Sequence, residues 1–344
     1  MSVVGRLERT VGTARIPFVP ATDIGELADT QVGALTASQL ASVSATNISA
    51  LSQTQVAALS TTQIKGLTTT QLQGLSTTDI SELADTQIAA LATSQISALS
   101  LTNVKSLSAT QVGALSAAQV GALSATNFSA LDATQVGALN ETQIKGLTAT
   151  QLKGLTTTDI GQLADTQVAA LAATQIGALT ATGLSALDAT QTAALSTTQI
   201  KGLTADQLKG LSTTDIGEFS TTQIQALTAD QLKNLSATNI SALADTQVAA
   251  LSNSQIQALS ATQLKGLSVT DIEELSATQV GALSAAQIGA LATTQVQELS
   301  TTQIGGLAAT QVAALSTTNL NQLDATQLGA LSTTQVKGLT AAQI

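Results

Sequence analysis

Leu59-Ser60-Thr61-Thr62-Gln63-Ile64-Lys65-Gly66, followed at once by Leu67, is the stretch whose reading decides the fold. It is one copy of an eight-residue unit that runs through the chain from about residue 23. The marker Leu stands at Leu27, Leu35, Leu51, Leu59 and every eighth residue to Leu339, with only Val43 and Phe219 departing from it. Five residues after each Leu is a second apolar position (Ile24, Val32, Leu40, Ile48, and so on to Ile344), whose only polar occupant is Thr192. The residue before it is mostly Gln, with Asp or Asn as substitutes and Gly183 as an exception.

Spacing selects the conformation. In a strand, an Ile and a Leu three apart would point to opposite faces, which disfavours a β-solenoid, the alternative fold. In one continuous α-helix, eight residues turn about 800°, so the apolar stripe would drift round the helix by about 80° per unit. Separate short helices fit best. Ser60 is placed to cap the first free amides, and Gln63 to reach back to the Ser60 amide. Leu59 and Ile64 flank them as a hydrophobic staple. Gly66 and Gly202 stand where a helix would stop and neighbours would pack closely, and the nine Lys, such as Lys65, Lys145 and Lys201, sit near the helix C-terminus, the end that favours cations.

Helices this short are unstable alone in water, so neighbouring units must stack. The expectation is an all-α solenoid of very short one- to two-turn helices, one per octad, over residues 23–344. About forty units would bury Leu and Ile/Val and turn Gln, Thr, Ser and Lys outward. Residues 1–22, with Arg6, Arg9 and Arg15 ahead of Pro17 and Pro20, are expected to be a leader or cap. The last octad lacks a polar capping unit, which suggests continuation beyond Ile344. A longer period overlies the octad: Asp replaces Gln at Asp23, Asp79, Asp159, Asp215 and Asp271, at successive spacings of seven, ten, seven and seven octads. The recurrence of seven reads either as block duplication or as the track of a superhelix, and the sequence does not separate the two.

Composition narrows the function. The 344 residues carry a net charge of -10 and include no Cys, His, Trp or Tyr. Such a surface repels phosphate backbones, so nucleic acid is not an expected partner. Without His, no Ser or Thr nucleophile has an identifiable activating base, so the chain is expected not to be an enzyme. No N-terminal signal peptide is evident, and no apolar run is long enough for membrane insertion. The acidic groups Asp23, Glu26, Asp29; Asp79, Glu82, Asp85; Asp215, Glu218; and Asp271, Glu273, Glu274 place carboxylates on shared helix faces. Calcium coordination is therefore weighed against a solvated rim. The recurrent Thr is weighed in the same way, as an ice- or polysaccharide-binding array against a solubilising residue.

The unit Leu-Ser/Thr-x-x-Gln-Ile/Val-x-Ala/Gly, as in Leu195-Ser196-Thr197-Thr198-Gln199-Ile200-Lys201-Gly202, resembles octapeptide-repeat tracts of large bacterial secreted or surface proteins of the adhesin type. The resemblance implies a spacer or stalk at the cell surface or outside the cell, the cytoplasm being the alternative. The competing expectation is a multivalent module that binds a protein or glycan surface or associates with itself. No cofactor is expected apart from the calcium considered above.

Overall fold

A computed structural model describes residues 24–344. The expected leader, 1–22, and Asp23 lie outside the described residues. From Asp29–Gly33 to Thr333–Lys337 the chain forms thirty-nine helices of four to six residues, one per octad, and among the described residues there is no strand. The fold is an all-α solenoid of very short helices. Contacts group the described residues into two compact units, 24–171 and 172–344.

The local geometry follows the octad. In the helix Thr61–Gly66, Ser60 has extended backbone (φ -69°, ψ 158°) and its Oγ accepts from the Gln63 amide at 3.3 Å. Gln63 Oε1 accepts in return from the Ser60 amide at 2.8 Å. Where Ala replaces the cap, the Gln half of the arrangement persists, as in Ala84 N–H to Gln87 Oε1 at 2.8 Å. The helix ends as the marker Leu67 swings to extended backbone (φ -63°, ψ 135°). Its amide still donates to the Ile64 carbonyl at 3.2 Å, closing a tight last turn.

Both apolar positions are buried. Ile64, Ile88, Ile144, Ile200 and Ile224 are fully inaccessible, and Leu67, Leu91, Leu147, Leu203 and Leu227 nearly so. Within each unit a helix packs on the third helix along the chain, as Ala37–Ala41 does on Thr61–Gly66 and Ala237–Ser241 on Ala261–Gly266.

Polar contacts between successive turns fix the turn size. Gln63 bonds to residues 28 and 31 positions earlier, Ser129 to Asp159 at a separation of 30, Thr110 to Asp85 at 25, and Thr293 to Asn319 at 26. These separations centre on the 28 of the Gln63–Leu35 bond, or three and a half octads per turn. A helix therefore lies across the junction between two helices of the preceding turn.

The glycines before the marker Leu do not act as left-handed helix stops. Gly146 (φ -76°, ψ -11°) and Gly202 (φ -80°, ψ -8°) are right-handed. Their role is close approach: a Cβ on Gly146 would stand 2.5 Å from the Ala117 carbonyl oxygen, and one on Gly202 2.5 Å from that of Ala173.

Candidate functional site

The recurring Gln, expected to face outward, is instead buried. Gln63, Gln151, Gln207 and Gln295 are each no more than 3% exposed. The physical reason is that the amide has four hydrogen-bonding positions and capping occupies only its oxygen. In Gln63 the oxygen accepts from the Ser60 amide and hydroxyl, both at 2.8 Å. Its Nε2 donates to the carbonyls of Val32 at 3.0 Å and Leu35 at 2.8 Å, one turn back. The same pair of bonds recurs from Gln151 to Val120 and Leu123, from Gln207 to Ile176 and Leu179, and from Gln295 to Leu264 and Leu267. The first acceptor of each pair is the carbonyl of the core residue near the helix end, which also accepts the amide of the next marker Leu; the second is the carbonyl of that linker Leu. One side chain thus caps its own helix and ties it to the preceding turn.

Asn performs a reduced version. Asn103 Nδ2 reaches only the Leu75 carbonyl, at 2.9 Å, and Asn239 only that of Leu211, at 2.9 Å, since its side chain is one methylene shorter. Asp retains the acceptor and loses the donor: Asp79 Oδ2 accepts from the Ser76 amide at 2.7 Å. Thr192, the polar occupant of the core position, is 4% exposed, and its Oγ1 donates to Glu218 Oε2 at 3.3 Å. Beside it, with Phe219 in place of a marker Leu, is a cavity of about 10 Å³, room for about one water.

The acidic residues singled out by sequence separate into different surroundings. Asp79 and Asp271 are buried at the capping position, and Asp215 is half-buried there. Glu26, Asp29, Asp85, Glu273 and Glu274 are exposed, whereas Glu82 and Glu218 are half-buried at the ends of their helices. Asp29 and Asp85, seven octads apart, each accept from a Thr hydroxyl at a separation of 25, Thr54 and Thr110, at 3.2 Å. Among the described residues no three Asp or Glu side chains gather closely enough to hold a metal ion.

Asp188 is an exposed cap whose carboxyl lies below the usual range. The Gln191 amide is the main cause, joined by the Thr190 hydroxyl and amide. The outward surface carries Thr62, Lys65 and their equivalents, with shallow grooves between turns. One of them, about 660 Å³, is open and runs past Ser116, Ala117, Asn140 and Glu141. No helix is long and apolar enough to cross a membrane.

These features define a helical repeat scaffold in which the recurrent polar side chain joins turn to turn. The sequence pattern of the ALTTAQ repeat matches residues 88–125, where Ala114-Leu115-Ser116-Ala117-Ala118-Gln119 lies in the register of the octad. The same period and helix pattern continue on both sides of that segment. No curated protein matches the chain.

Proposed function

We propose that the chain is a structural scaffold, a spacer or stalk of a bacterial surface or secreted protein. The buried Gln ladder carries this reading, because the polar side chain found at this position in most octads is committed to cohesion between turns and is withdrawn from solvent. The likeness of the octads to adhesin-type tracts supports a place outside the cell or on its surface. No enzymatic role is proposed. Several capping hydroxyls are engaged locally with the Gln, and the chain holds no His to activate the remainder.

The exposed Thr and Lys that return with the octad favour a second reading, multivalent weak binding of a protein or glycan surface or of another copy. Mass measurement over a wide concentration range tests the first reading. A mass of one chain throughout is expected of a spacer, whereas growth into filaments would replace that reading with self-assembly. Calcium binding keeps a separate test: titration calorimetry with millimolar calcium is expected to show no heat, and saturable heat would revive the acidic groups as sites.

A further inference from the structure

A chain built from near-identical octads faces a register problem. Every octad offers a Gln donor and every linker Leu a carbonyl, so a turn closed one octad early or late recovers almost the same bonds. The Asp units break this degeneracy. In each of the four for which a partner exists within the chain, the residue thirty positions earlier is Ser: Ser49 for Asp79, Ser129 for Asp159, Ser185 for Asp215 and Ser241 for Asp271. The Ser hydroxyl donates across the turn to the carboxylate in three of them, from Ser49 to Asp79 Oδ2, from Ser129 to Asp159 Oδ2 at 2.5 Å and from Ser185 to Asp215 Oδ2 at 2.6 Å. In the fourth, Ser241 stands at the same offset and Asp271 Oδ1 is buried without a partner.

The pairing extends to a third position. Two residues before each of these Ser, where Gln is usual, stand Asn47, Asn127, Gly183 and Asn239. Asn103 provides the contrast. The residue two after it is Lys105 instead of Ser, and thirty beyond that is Gln135 instead of Asp. Nor does a Ser at this position demand Asp. Gln111 lies over the octad of Ser81 and makes both of its ordinary bonds, to Ile80 at 2.9 Å and Leu83 at 2.7 Å. Gln would therefore fit over the Ser octads, and Asp relinquishes two donors there. What Asp gains is selectivity. A slip of one octad either way would set Asp79 against Ala41 or Ala57, Asp159 against Gly121 or Gly137, and Asp215 against Gly177 or Ala193, none of which has a hydroxyl.

We infer that the Ser–Asp pairs are register locks, which give up inter-turn hydrogen bonds in order to admit only the turn of three and a half octads, much as a single buried Asn fixes register in a coiled coil. The chain has no Cys, so spin labels on cysteines introduced at the exposed Thr126 and Thr158 span the Ser129–Asp159 lock, and labels at Thr182 and Thr214 span Ser185–Asp215. With the natural locks, the refolded full chain is expected to give one label-to-label distance per pair. Combining Asp79→Gln, Asp159→Gln and Asp215→Gln is expected to add a second distance while the thermal midpoint stays level or rises, because each Gln regains two bonds. A single distance in that variant would overturn the proposal and leave the Asp as tolerated substitutions. Ser129→Ala, which keeps the carboxylate and removes its donor, is expected to lower the midpoint and also to add a second distance. A lowered midpoint with one distance would reduce the pair to a merely stabilising contact.

Discussion

At the scale of the residue, Gln is the side chain on which the fold turns. Gln151 is 1% exposed and joins the Thr148 amide to the carbonyls of Val120 and Leu123. Gln151→Met would keep the volume and strand the Leu123 carbonyl and the Thr148 amide, while Val120 keeps the Leu123 amide, so a loss of about 2–4 kcal/mol in denaturant unfolding is expected. Asp188 offers a pH test. Its folded-state carboxyl is held below the unfolded value, so its contribution is present above the unfolded value and is lost as pH falls through the lower, folded one. Asp188→Ser keeps a cap without that titration. Stability curves of the two proteins are therefore expected to converge in acid, and curves that stay parallel into strong acid would refute the assignment.

The cap and the staple were legible in Ser60, Gln63 and Ile64 because they act within six residues. The burial of Gln63 was not, because its second partner lies 28 to 31 positions away and nothing within the octad shows what the side chain faces.

At the scale of the element, each helix is set by three local devices: a cap, a tight last turn and a small residue where the next layer comes close. Glycine separates the third from mere helix propensity. Gly137 ends the helix Ala133–Gly137 with open space where a Cβ would stand, whereas a Cβ on Gly202 would stand 2.5 Å from the Ala173 carbonyl oxygen. Gly137→Ala is expected to leave the thermal midpoint level or raise it, worth up to about 1 kcal/mol. Gly202→Ala is expected to lower it by the equivalent of about 1–3 kcal/mol, because backbone must move. Sequence reading placed Gly202 correctly at a helix end. It read such a position both as a helix stop and as a place for close packing; which neighbour comes close was not legible, since the partner lies more than three octads away.

At the scale of the whole molecule, the octad and the turn are incommensurate: one turn takes three and a half octads, and only two turns together take a whole number, seven. The seven-octad spacing of Asp215 and Asp271 within one unit is therefore two complete turns, after which every octad position returns to the same place on the turn. The ten-octad interval between Asp79 and Asp159 is half an octad short of three turns, a mismatch that no whole number of octads removes. Joining Asp215 directly to Ile272 removes seven octads and restores the natural Asp-Ile junction. The shortened chain is expected to keep a helical circular dichroism spectrum and a cooperative transition, with a denaturant dependence reduced in proportion to its length. A non-cooperative transition would count against the two-turn block. The octad alone could not reveal this, since turns of three, three and a half or four octads all preserve the same pattern of Leu, Gln and Ile.

The half-octad offset between turns also has a mechanical meaning. Like courses of brick laid in running bond, successive layers leave no straight joint along which a crack could run. A pull that separates one helix from the layer below must load both helices it bridges, so resistance is shared before anything gives way.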